Sequence, residues 1–462
     1  MLALVAVLVL LASLRPTSPS REVLVGETGA AEQPRGPAPV DANASLAAGL
    51  LRAVRAADFA SVVDYQFDPA GAPAPQVSAP PNVDVAVIRL DDHGRPSGAA
   101  NVVYSRDFPH GRVVRLDDNL AATGIDWRTW DSARSDGDWT ARFPPGSSLV
   151  PGSEGTVFMS PYPASTFKLL VAFHTLRLVD DGTISLRRPV RYGPLGVSTC
   201  PGGQPSMVAT TRELLDRMIT YSDNTSACVL LKQIADLHEN QALNRGFRTL
   251  GLPTLQVNGI DGASGGMWSP GKITMTAMDT ARLLLLVEGA RGTLWTDPSG
   301  DPVRASAVLS RGSRNLLKSL LAQQGFHKVL STTNWCGASY PQPGIPARMP
   351  RRWIDPADGT VTVAGFSYGR DVRPCNDEAE VTFAHKTGLT YDFVSDAGIV
   401  EALPGQDGRR YIVAVFANLG SRFGDPRRAS SSKTPCRTPG ICSTEKMGIL
   451  GRAIDDLMRR DA

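Results

Sequence analysis

Three short groups of residues follow one another along the chain: Ser165-Thr166-Phe167-Lys168, Ser222-Asp223-Asn224 and Lys386-Thr387-Gly388. A hydroxyl with an amine three residues on, a second hydroxyl beside an amide, and a cation on a strand are the parts that acyl transfer through serine requires. They amount to a nucleophile with its base, a proton relay and an anion-binding strand. Each group alone is weak. Ser-x-x-Lys recurs from Ser430 to Lys433 and from Ser443 to Lys446, and Ser-x-Asn from Ser313 to Asn315. Surroundings separate the first set: Ser165 opens a long apolar run, Ser222 joins two helical patterns and Lys386 sits on an alternating strand. Lysine is also scarce, eight against forty arginines, yet two of the eight fall inside the motifs.

If Ser165 begins its helix, Lys168 lies on the same face within reach of the serine hydroxyl. Lysine is a base only when neutral, so burial and neighbouring cations must lower its pKa. The helix N-terminus adds N–H groups where negative charge develops. Ser222 is a candidate hydroxyl relay, and Asn224 offers both donor and acceptor to a substrate amide. Taken alone, Ser222-Asp223-Asn224 reads more readily as a helix cap than as chemistry. Lys386 and Thr387 suit a substrate carboxylate, and Gly388 lets the backbone come close. An isolated Lys-Thr-Gly would be an edge strand before a bulge; the order of the three groups favours chemistry. On a regular strand His385 points to the face opposite Lys386.

These groups need elements to hold them. Phe167, Leu169, Leu170, Val171, Phe173, Leu176 and Leu178 make a helix apolar on nearly all sides, ending at Asp180-Asp181-Gly182, as in a core. Thr210 with Glu213 and Thr276 with Asp279 have capping-box spacing ahead of two more helices, and residues 313–323 are amphipathic. Residues 84–90 alternate as a strand with 101–105 as hairpin partner across the turn 91–94. Residues 380–384, 396–401 and 411–418 read as late strands, and 44–63 and 445–459 as helices. Residues 107–161, with Trp127, Trp130 and Trp139, are either a loop beside the site or a surface insertion with its own small core. Strands at both ends and helices between them predict one α/β lobe built by the two termini, with a helical lobe inserted.

At 462 residues the chain can bury a sizeable core, and 42% hydrophobic with 20% charged residues is ordinary for a globular protein. A net charge of +3 without a basic run gives no support for nucleic-acid binding. Residues 2–14 are apolar enough for an export-signal core and too short to span a bilayer, and no lipobox-like cysteine follows. A secreted or extracytoplasmic protein is expected. Six cysteines suit that oxidising compartment. Cys436 with Cys442 and Cys336 with Cys375 read as pairs; Cys228 is either a buried thiol or the partner of Cys200. No Cys/His spacing suggests a metal site.

On its three motifs the chain resembles the penicillin-recognising serine hydrolases, class A β-lactamases above all. The resemblance runs from Asp84 to the C-terminus, interrupted at 107–161 and between Cys336 and Cys375. It implies a β-lactamase/DD-peptidase-like α/β fold: an antiparallel sheet with terminal helices plus an inserted all-helical lobe. The corresponding division is signal peptide 1–22, disordered linker 23–45, the N-terminal part of the α/β lobe 46–160, the helical lobe 161–335 and the C-terminal part 336–462. Ser165, Lys168, Ser222 and Lys386 are then catalytic, and Asn224, Thr387, Gly388 and Leu389 bind substrate. The N–H groups of Ser165 and Leu389 form the oxyanion hole. No cofactor or metal is implied; the partner is a β-lactam or a cell-wall peptide, and a monomer is expected. The family's loop after the second motif carries a glutamate that activates water. Residues 250–275 contain no Glu and one acid, Asp261. Asp261 substitutes, Lys168 serves both steps, or hydrolysis is slow.

Overall fold

The computed structural model describes residues 40–64, 76–77, 79–130, 148–150, 155–193, 200, 206–336, 344–368, 370–424 and 442–460. The export signal, most of the linker, Trp139 and Cys436 lie outside the described residues. Among the described residues no helix is long and apolar enough to cross a membrane.

The main sheet is antiparallel and joins the two ends of the chain. Its strands run in the order Val381–Leu389, Val394–Ala402, Arg410–Ala417, Val83–Leu90, Pro96–Ser105, Phe108–Leu116 and Ala122–Thr123. In chain order the first strand, Val83–Leu90, pairs with the last, Arg410–Ala417, Val85 opposite Val415 and Val87 opposite Val413. Side chains alternate between faces, so one strand feeds two cores. Val85, Val87, Val413 and Val415 pack with the helices Val40–Ala56 and Ser443–Arg460, whereas Ala86, Ile88, Ile412 and Ala414 pack against the helical segments in mid-chain. With both faces covered, the strands read as near-continuous apolar runs. The class is α/β, an antiparallel sheet layered with helices, as the motifs imply.

The helix Lys168–Asp180 is buried on all sides up to Leu176 and emerges only in its last turn, with Leu169, Leu170, Val171, Phe173 and Leu176 in the central core. Full burial of one such side chain contributes about 2 kcal/mol. Thr210 and Glu213 close the capping box that opens Thr211–Thr220. The second box does not form. Thr276 caps Ala277–Glu288 by position only: its hydroxyl meets Thr254 Oγ1 at 2.8 Å, and Asp279 turns to Thr254 and Arg282. Asp84 Oδ2, from the first strand, accepts the Ala277 N–H at 2.7 Å, so a tertiary contact replaces the local one.

The described residues of 107–161 show features of both readings. Phe108–Leu116 is a third hairpin strand whose largely exposed side chains hide it from the sequence pattern. Trp127 sits in a small core with Val103, Val114, Ile125 and Phe158, while Trp130 meets Phe393 edge-on at 4.6 Å, in the turn after the Lys386 strand. Cys336 and Cys375 are bonded as read, and Cys228 is bonded to Cys200. Between Cys336 and Cys375, Met349, Val361, Val363, Tyr368 and Val372 build a further small core with Phe326 and Trp335.

Candidate active site

Ser165 lies in a short 3₁₀ turn, Ala164–Phe167, and the α-helix proper starts at Lys168. The turn begins on Ala164 at φ 45°, a left-handed conformation costing about 1 kcal/mol or more in a residue with a Cβ. Side chains from the sheet hold it there. Ser395 Oγ donates to Pro163 O at 2.6 Å, and Thr166 Oγ1 lies 2.8 Å from Ser395 Oγ and 3.2 Å from Lys386 O. Gly388 completes the seat: a Cβ there would stand 2.6 Å from Pro163 O and 2.8 Å from the Ser165 nitrogen. Glycine is required by this approach of two backbones. The Ser165 side chain is half-buried at the rim.

Ser222 links the helices Thr211–Thr220 and Asn224–Asp236 at φ 65°, the second left-handed residue of the site. Asp223 next to it is a true cap, its carboxylate accepting the Ser226 N–H at 2.7 Å and the Ser226 hydroxyl at 2.5 Å. Asp223 is thus the cap, and Ser222 and Asn224 on either side of it are left to meet the lysines. The cap fixes the turn, and the turn aims Ser222 and Asn224 at the lysines.

Lys168 Nζ donates to Ser222 O and Asn224 Oδ1, each at 2.6 Å, and lies 3.2 Å from Ser222 Oγ. Lys386 Nζ donates to the same Ser222 Oγ at 3.0 Å and to Thr387 O at 2.7 Å. Two buried lysine side chains, distant from each other in the chain, thus share one hydroxyl. Burial pulls Lys168 down to about 7, with Asp223 opposing. Lys386 is pulled well below the usual lysine range by burial, then by Lys168, with Asp396 opposing and Lys328 adding to the fall. One of the pair is available as a base near neutrality.

Ser165, Lys168, Ser222, Asn224, Lys386 and Gly388 are therefore brought together. Thr387 is buried at 4% exposure and bonds Lys386 through its carbonyl; Leu389, at the strand end, exposes 40% of its side chain. His385 lies on the opposite face, bonded to Asp396, as alternation predicts. Sequence reading missed Ser395 and Asp396, and Lys328, whose ammonium lies 4.8 Å from the Phe326 ring centre. Ser395 and Asp396 belong to an apolar strand pattern, where a polar residue facing a covered side is the only signal. Among the described residues no group of acids, histidines or cysteines could hold a metal ion.

The loop 250–275 meets the turn Ala164–Phe167 through Trp268, whose ring centre is 5.0 Å from that of Phe167. Asp261 is exposed and bound within its own turn, to the Ser264 hydroxyl at 2.6 Å and N–H at 3.1 Å. These bonds hold its carboxyl below the usual range. Asp261 is a turn residue in this conformation.

Residues 159–333 match the family model described as the β-lactamase enzyme family. The match contains the Ser165 and Ser222 motifs and ends before Lys386. The chain is thus similar to the penicillin-recognising serine hydrolases, the class its motifs imply. Solved structures similar to it include PBP-A, 18% identical over 83% of this chain and 93% of that one, TM-score 0.43. A β-lactamase from Sphaerobacter thermophilus is 15% identical over 88% and 95%, TM-score 0.42. An ancestral class A β-lactamase is 17% identical over 81% and 93%, TM-score 0.41. No curated protein matches the sequence.

Proposed function

We propose that the chain is an exported active-site serine hydrolase that opens the β-lactam amide through an acyl-Ser165 intermediate. One observation carries this reading: Lys168 and Lys386 converge on the Ser222 hydroxyl while Gly388 packs against the Ser165 backbone. Ser165 Oγ attacks the carbonyl carbon and its proton passes to the neutral Lys168 amine. Charge on the carbonyl oxygen is met by the N–H groups of Ser165 and Leu389. The C–N bond breaks, Ser222 gives its proton to the leaving nitrogen, and Lys168 returns the proton to Ser222. Lys386 and Thr387 hold the substrate carboxylate. Two disulfides support an extracytoplasmic setting. Purified protein should turn over nitrocefin, and Ser165→Ala should not; a stoichiometric burst without turnover would remove the β-lactamase reading and leave acylation intact.

A second reading, favoured by the loop 250–275, is a DD-peptidase or a slowly deacylating β-lactam-binding protein. That loop has no glutamate, and its one acid serves its own turn. Release of D-alanine from a diacylated D-Ala-D-Ala peptide would support the peptidase; brisk β-lactam hydrolysis without such release would exclude it.

A further inference from the structure

The hairpin turn after the Lys386 strand is held from outside by a buried ion pair that takes no part in the steps above. Residues 390–393 link the strands Val381–Leu389 and Val394–Ala402 and close on themselves, the Thr390 N–H donating to Phe393 O at 2.8 Å and the Phe393 N–H to Thr390 Oγ1 at 3.1 Å. A second segment, residues 420–422, lies against this turn. The Ser421 N–H donates to Thr390 O and the Arg422 N–H to Tyr391 O, each at 2.9 Å. At Gly420 a Cβ would run into Phe393 N, Tyr391 O and Thr390 O, so the two backbones touch.

Arg422 is buried, and so is its partner Asp64, 358 positions earlier in the chain. The guanidinium forks onto that carboxylate, Nε at 3.0 Å from Oδ1 and Nη2 at 2.6 Å from Oδ2. Its third nitrogen, Nη1, reaches toward Asp392 Oδ1 of the turn at 3.9 Å. A bidentate pair of this kind fixes direction as well as distance.

Both ends of the turn lead to the reacting serine. Val381–Leu389 is the outermost strand of the main sheet. Successive residues of an antiparallel strand direct their N–H groups to opposite sides, and the Thr390 N–H points inward across the hairpin. The Leu389 N–H therefore turns out from the edge, next to Gly388, which abuts the Ser165 nitrogen. At the other end, Phe393 packs edge-on against Tyr162 at 5.7 Å and Trp130 at 4.6 Å between ring centres, and Tyr162 leads directly into Pro163 and the left-handed Ala164. One turn thus touches the supports of both N–H groups proposed for the oxyanion hole. We propose that Arg422, locked by Asp64, is a positioning residue for acyl transfer: it holds residues 390–393 so that the Leu389 and Ser165 N–H groups meet the carbonyl oxygen at the right separation. The consequence for acylation rests on the function proposed above; the clamp on the turn does not.

The test is Asp64→Asn in the full chain, which keeps the shape of the carboxylate and removes its charge. Hydrogen exchange read by mass spectrometry should show residues 389–393 and 420–422 exchanging at least ~10-fold faster, with the helix Lys168–Asp180 unmoved. Acylation by benzylpenicillin should slow by at least ~10-fold at unchanged Kd. The infrared band of a ¹³C-labelled penicilloyl ester carbonyl should move to higher wavenumber as its hydrogen bonds lengthen. Arg422→Lys, which keeps the charge without the fork, should fall between the two proteins in each readout. Slower acylation with an unmoved carbonyl band, or exchange that quickens equally in Lys168–Asp180, would reduce the pair to a stability role and overturn the proposal. Unaltered exchange and acylation in the folded variant would overturn it too. If neither variant folds, the unsubstituted protein decides: Ser421 and Arg422 amides as protected as the sheet support the clamp, and amides exchanging as fast as an exposed loop overturn it. A protein that never acylates, with the exchange results as expected, would defeat the functional reading and leave the clamp standing.

Discussion

The seat of Ser165 and the loop 250–275 touch each other and are built on different principles. Around Ser165, Lys168, Ser222, Lys386, Gly388 and Ser395 come from separate parts of the chain and bond one another across buried ground. In the loop, Asp261 bonds three residues away and faces solvent, and Trp268 meets the Ser165 turn through an apolar contact with Phe167. The residues proposed for acylation are held by long-range contacts. The loop holds no glutamate, and its one acid serves its own turn.

Removing the proposed nucleophile should break the comparison outright: Ser165→Ala should abolish any covalent adduct by intact-mass measurement while the circular dichroism spectrum is unchanged. Lys168→Ala should slow acylation by at least ~10²-fold in stopped-flow assays. The unsubstituted protein should acylate faster as pH rises through about 7, because the amine works only after losing its proton. That limb should vanish in the variant. Gly388→Ala puts a methyl group into Pro163 O, the Ser165 nitrogen and the Ser395 hydroxyl. It should lower stability by about 1–3 kcal/mol in urea unfolding and depress acylation with it. Replacing Cys336 and Cys375 together by Ser opens a crosslink across 39 positions and should remove about 2–4 kcal/mol of stability. Its effect on acylation should be the smaller one, since the bond closes the outer small core. Asp261→Asn should leave deacylation within about twofold, as expected of a surface turn residue; a tenfold loss would show that the loop does activate water.

Much of this arrangement was legible in the residues. Alternation exposed the central strands, and apolar surroundings separated Ser165 and Lys168 from the chance Ser-x-x-Lys pairs. Short-range rules failed where a distant partner intervened. Thr276 and Asp279 have the spacing of a capping box, yet Thr254 and Asp84 take their places. The strand Phe108–Leu116 bears mainly exposed side chains and left no alternating signal. Asp396 was hidden for the opposite reason: it looks like a polar interruption of a buried strand until His385 and Leu330 are seen around it.

The most direct measurement is the intact mass of the protein followed in time after mixing with benzylpenicillin at neutral pH. The account predicts an early gain of one penicilloyl group located on Ser165, decaying as turnover proceeds and absent from Ser165→Ala. Unchanged mass together with unchanged antibiotic, from pH 6 to pH 9, would contradict it.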